Sequence, residues 1–130
     1  MGYVTSSSGG FILPNSAMRV PDAAWIRKEH IEVLTKEERL RFPNLCPDFV
    51  IEVRSPSDSL TGQQEKMQEW IDNGCLLAWL IDLAEQNVHI YRKDGSVDVI
   101  GSFDEKVSGE DVLPGFNLEL TKLKAIPQVE

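Results

Sequence analysis

The chain has 130 residues, 42% of them hydrophobic and 26% charged, which is enough for one globular domain with a single real core. Its formal net charge of −8 argues against loose, nonspecific nucleic-acid binding, but it leaves room for an enzyme that recruits a divalent metal and presents a local basic strip. No apolar run approaches the ~18–20 residues of a membrane span, and Met1-Gly2-Tyr3-Val4 does not read as a signal peptide.

Ser6-Ser7-Ser8-Gly9-Gly10 reads as a flexible stretch or turn. Phe11-Ile12-Leu13 is a short strand ended by Pro14-Asn15, and residues 20–26 are a second strand beginning at Pro21-Asp22. Thr35-Lys36-Glu37-Glu38 has the form of a capping box, which starts a short helix that Pro43 stops. Residues 48–54 alternate: Phe49, Ile51 and Val53 fall on one sheet face, and Asp48, Val50, Glu52 and Arg54 on the other. Residues 60–73 are a helix with Gly74 as its C-terminal stop, and Leu60, Gln64, Met67 and Ile71 lie along one side. The nearly continuous apolar run 76–82 is a strand covered on both faces. Strand 88–92 follows, and Asp94-Gly95 turns the chain into strand 97–100. Pro114-Gly115 marks a bend, and Leu118-Glu119-Leu120 is expected to close the sheet edge. Cys46 and Cys75 are too few and too far apart for a zinc site; a disulfide between them is the alternative to the expected reading, two reduced, part-buried thiols of a cytoplasmic protein.

Ionised residues on a mid-domain strand are costly unless solvated, paired or metal-bound. If strand 20–26 pairs antiparallel with strand 48–54, Asp22 comes to lie beside Glu52 and Arg54, and Asp48 at the far end. Asp48 and Glu52 are about 13 Å apart along one strand, too far to share an ion that binds oxygens at about 2.1 Å. Asp22 and Glu52 can share one. Gln63, Lys66 and Trp70 form a helix stripe beside the core row, so Lys66 can reach the two acids if the helix packs over the strand end. On residue types alone, a solvated face, with Lys66 paired to Glu65 or Glu69, explains the same residues.

The ordered motifs go further. They are Arg19-Val20-Pro21-Asp22-Ala23-Ala24-Trp25-Ile26, then Cys46-Pro47-Asp48-Phe49-Val50-Ile51-Glu52-Val53-Arg54-Ser55-Pro56-Ser57-Asp58, then Gln64-Glu65-Lys66-Met67-Gln68-Glu69-Trp70 with Asn73-Gly74, Trp79-Leu80-Ile81-Asp82, Val88-His89-Ile90-Tyr91-Arg92 and Leu113-Pro114-Gly115-Phe116. Together, across about residues 9–120, they resemble the Uma-type restriction endonuclease family of the PD-(D/E)XK nuclease superfamily. The resemblance implies an α/β fold: a restriction-endonuclease-like mixed β-sheet with one main crossing helix. It implies metal ligation by Asp22 and Glu52, with Mg²⁺ or Mn²⁺ as the cofactor and DNA as the partner. Where the superfamily has a lysine two residues after the acid, this chain has Arg54, and Lys66 looks like the replacement. Arginine keeps its proton at physiological pH, so Arg54 is expected to clamp phosphate or carboxylate, and Lys66 to orient the attacking water.

Family members usually begin with a longer N-terminal segment. The expectation is therefore a single nuclease-like domain over residues 1–130, truncated at its N-terminus, with the N-terminal helical layer missing. A bare sheet face would favour homodimerisation. The function expected is metal-dependent hydrolysis of DNA phosphodiester bonds. The alternative is a catalytically degenerate nuclease-like domain that acts through binding or dimerisation. Trp25, Trp70 and Trp79 are read as core or interface, His30 and His89 as ordinary polar residues, Asp82 as a turn cap, and Arg27, Lys28, Arg39 and Arg41 as candidates for a basic strip.

Overall fold

The structure is a computed structural model that describes residues 2–6, 11–16, 18–19, 22–32 and 45–125. The strands are β1 (Gly2–Ser6), β2 (Phe11–Ile12), β3 (Met18–Arg19), β4 (Ala23–Arg27), β5 (Phe49–Arg54), β6 (Leu77–Asp82), β7 (Asn87–Arg92), β8 (Val97–Ile100), β9 (Lys106–Ser108) and β10 (Asn117–Glu119). The helices are α1 (Lys28–Glu32) and α2 (Leu60–Asp72), and a 3-10 turn, Leu120–Ala125, follows β10.

Six strands form one mixed sheet in the order β1-β4-β5-β6-β7-β8. The β5–β6 pair is parallel, and the other neighbours are antiparallel. A parallel pair needs a crossover, and α2 supplies it. The Ser59 hydroxyl accepts a 2.9 Å bond from the Gly62 amide and starts that helix. Gly74, at φ 115°, ends it, because a side chain there would be strained. Leu60, the first helical residue, packs against the core, and Met67, Trp70 and Ile71 are buried within it. All six residues of β6 are buried, as the apolar run predicts for a strand covered on both sides.

The alternation in β5 separates two cores. Val50 packs with Ala24, Ile26, Ala78, Leu80 and the α2 residues on one face. Phe49 packs with Leu77, Trp79, Ile81, Val88 and Ile90 on the other. The second face is not bare: Phe103, Val107, Leu120 and their neighbours from the C-terminal part of the chain cover much of it. Over β4 and β5 an apolar trough of about 310 Å³ remains, lined by Ala23, Trp25, Phe49, Ile51, Leu113 and Phe116 among others.

Three features depart from the sequence expectations. Leu118 and Glu119 do not close the main sheet; β10 pairs with β9 in a separate ribbon, and β1 and β8 are the edges of the main sheet. The ribbon forms because Val107, Leu118 and Leu120 all have apolar partners on the second face. Strand β1, which pairs with β4 over all five residues, has no alternating apolar signature in its Gly-Tyr-Val-Thr-Ser sequence. The short helix α1 follows β4 directly and buries Ile31. The capping box at Thr35 and Glu38, and Arg39 and Arg41, lie outside the described residues.

Candidate active site

The β4–β5 register pairs Ala23 with Ile51, which sets Asp22 opposite Glu52. Opposed residues of an antiparallel pair project to the same face. The Asp22 amide donates to Glu52 Oε1 at 3.4 Å, and Asp22 Oδ2 accepts the Val53 amide at 2.6 Å. Each acid is thus tied to the other's strand.

Glu52 is 2% exposed, so its charge must be compensated from within. Two residues one helical turn apart on α2 do this. Lys66 Nζ lies 3.0 Å from Glu52 Oε2, and Trp70 Nε1 donates to the same oxygen at 3.1 Å. Sequence reasoning placed Lys66 here but gave Trp70 no polar role. The signal was present, since Lys66 and Trp70 share a stripe at i, i+4. The alternative pairing of Lys66 with Glu65 or Glu69 is not the one described.

Arg54 lies two residues beyond Glu52 on the same face, but it does not point into open solvent. Its Nη1 lies 2.7 Å from Asp82 Oδ2, and its Nε donates to the Asp58 carbonyl at 3.2 Å. Asp82 is paired with Arg54 across the parallel ladder and is 1% exposed. Its other oxygen accepts the Ala84 and Glu85 amides, so it both caps the turn and holds the guanidinium. Asp58 accepts the Ser55 amide and hydroxyl, which hold its carboxyl below the usual carboxylate range. That loop fixes the approach to Arg54 from one side.

Asp48, at the opposite end of β5, belongs to a separate network. Its Oδ2 accepts the Arg27 amide at 2.8 Å and lies 2.9 Å from His30 Nδ1. It is 2% exposed and ties α1 to the sheet. His30 therefore has a specific partner that its isolated position in the sequence did not announce. Lys28 is engaged with Glu32 at 3.5 Å. Both cysteines are free thiols, and burial pushes the Cys75 thiol well above its usual range.

Among the described residues no three His, Cys, Asp or Glu side chains are grouped to hold a metal. The donor set is nonetheless of the right chemistry for a hard cation. Asp22 engages Oδ2 and Glu52 engages Oε2, which leaves Asp22 Oδ1 without a protein hydrogen bond among the described residues and Glu52 Oε1 with only the long bond from Asp22. Two carboxylate oxygens plus waters are a common way to hold Mg²⁺.

The family model described as "Uma2: Putative restriction endonuclease" matches residues 1–121. The chain belongs to that family. The solved structure of a "putative nuclease belonging to DUF820" from Anabaena variabilis superposes on this Uma2-family chain with a TM-score of 0.78. It is 22% identical, and the match covers 95% of this chain and 68% of that one. That likeness establishes the fold as restriction-endonuclease-like. No curated protein matches the chain. Among the described residues no helix of this Uma2-family chain is long and apolar enough to cross a membrane.

Proposed function

We propose that this Uma2-family chain is a metal-dependent nuclease that hydrolyses phosphodiester bonds in DNA. The observation that carries this reading is the acid pair Asp22 and Glu52 at opposed positions of adjacent strands, with Lys66 3.0 Å from Glu52. Family membership supports nuclease chemistry.

Asp22 and Glu52 are the residues that would hold Mg²⁺ or Mn²⁺. When bound, such an ion supplies Lewis-acid stabilisation of phosphate charge and lowers the pKa of a coordinated water. The protein residues do the rest. Trp70 pins Glu52 from the core side and keeps bulk water from its back. Lys66 keeps a positive charge at the acids, where it orients the attacking water and offsets the negative charge that grows on phosphate. Arg54 cannot accept a proton; it presents its remaining N–H groups to a phosphate oxygen while Asp82 holds it in place. The test is nicking of supercoiled plasmid in Mn²⁺: wild type cleaves, and Glu52→Ala, folded by circular dichroism, does not. Equal cleavage by both would remove Glu52 from the chemistry.

A second reading is a degenerate domain that acts through binding or homodimerisation. The observation favouring it is that the described charges are already satisfied in pairs, Lys66 with Glu52 and Arg54 with Asp82. It expects no metal-dependent cleavage and a dimer by light scattering.

A further inference from the structure

The acid pair is the start of a longer row. Glu52 pairs with Leu80 on β6, and Leu80 pairs with His89 on β7. Residues in register across a sheet share a face, so Asp22, Glu52, Leu80 and His89 lie in line. One step along, Arg54 and Asp82 form the next row. His89 is the one titratable side chain of β7 on this face besides Tyr91.

His89 is half-buried, and among the described residues its imidazole has no hydrogen-bond partner. A histidine kept for packing usually finds a partner for its ring nitrogens. Here burial holds the imidazole below its ordinary value of 6.5; the Asp82 carboxylate opposes that shift, and Arg54 adds a smaller push in the same direction as burial. The ring is therefore neutral near pH 7, with one N–H donor and one lone pair to offer.

Distance decides between two roles. The backbone rows of Glu52 and His89 are two strand spacings apart, about 10 Å. A water held at Asp22 and Glu52 is too remote for His89 to be its base. A neighbouring nucleotide of a strand lying across the sheet end is within reach.

We propose that His89 is a substrate-contacting residue, donating a hydrogen bond to a phosphodiester oxygen of the nucleotide next to the one held at Asp22 and Glu52. The proposal rests on the nuclease reading above and extends the site from β4 and β5 to β7. Arg54 on β5 and Asp82 on β6 are the charged groups that face the ring; α2 brings Lys66 over the adjoining strand, and β8 presents Val99 opposite it.

The test is fluorescence anisotropy with a short labelled DNA duplex and single strand in Ca²⁺, a hard cation that carboxylates hold but a weaker Lewis acid than Mg²⁺, so that binding is read without cleavage. His89→Ala should weaken binding about tenfold, the loss of one hydrogen bond to a charged acceptor. His89→Gln, which keeps a donor, should stay within about threefold of wild type. Lowering the pH from about 7.5 to 5.5 shifts the ring toward its charged form and should tighten wild-type binding, with a smaller effect in His89→Gln. If His89→Ala binds as wild type does while Lys66→Ala binds more weakly, the contact is refuted and the nuclease reading stands. If neither substitution weakens binding, both readings fall.

Discussion

Trp70 Nε1 and Lys66 Nζ converge on one oxygen of Glu52, at 3.1 and 3.0 Å, and leave the other oxygen with only the long bond from the Asp22 amide. One turn of α2 thus fixes which edge of the carboxylate faces Asp22. The indole is an uncharged donor, fully buried, and cannot be replaced by water without opening the core.

Trp70→Phe should therefore act in two ways. It removes a donor to a buried carboxylate and costs about 1–3 kcal/mol in urea unfolding. It should also free Glu52 to rotate, lowering Mn²⁺-dependent cleavage more than substrate binding. A loss of stability with unchanged cleavage would confine Trp70 to the core.

Lys66→Met keeps the bulk of the side chain and removes the charge. Lys66 is less than one-third exposed, so the pair is partly desolvated, and its loss leaves Glu52 undercompensated. A destabilisation of about 1–3 kcal/mol is expected, together with a loss of cleavage that Lys66→Arg restores only in part. Full cleavage by Lys66→Met would show that the cation has no part in the chemistry.

Arg54→Ala strands Asp82, which is 1% exposed and keeps only its two turn amides. The cost is about 3 kcal/mol. The double substitution Arg54→Ala, Asp82→Asn should recover part of it, since no uncompensated charge remains. Additive losses in the cycle would mean that the pair is uncoupled.

Acid stability has a visible contributor in Asp58. Its folded-state pKa is depressed below 3.8 by the Ser55 amide and hydroxyl. A depressed carboxylate stabilises the fold above its unfolded value, and that contribution is lost as pH falls through the lower folded value. Ser55→Ala removes one donor and should flatten the fall in urea midpoint below about pH 4, while leaving the midpoint differences above pH 5 constant. A parallel shift at every pH would assign Ser55 a packing role only.

The fold was legible where one strand or helix carries its own pattern. The alternation of Phe49 and Ile51 against Val50 predicted which core each of these enters, although Val53 at the strand end is exposed, and the nearly continuous apolar run of β6 predicted its burial on both faces. The approach of Asp22 to Glu52 was legible too, because an antiparallel neighbour brings a strand start beside a strand end. What could not be read were contacts that need register across strands distant in sequence. Arg54 meets Asp82 because the β5–β6 ladder is parallel and in that register, and nothing at position 54 or 82 alone announces it. The Asp48–His30 pair depends in the same way on where α1 begins. The β9–β10 ribbon was misplaced because Leu118 and Leu120 look equally apt for any sheet edge; only the second core, with Val107 and Phe103 in it, decides where they go.

Calorimetric titration of Mn²⁺ into wild type, Asp22→Asn and Glu52→Gln tests the convergence of the two acids most directly. One ion bound by wild type, with binding lost in both variants, is the predicted result. Equal affinity in all three proteins, or no binding to any, would contradict a shared metal site on β4 and β5.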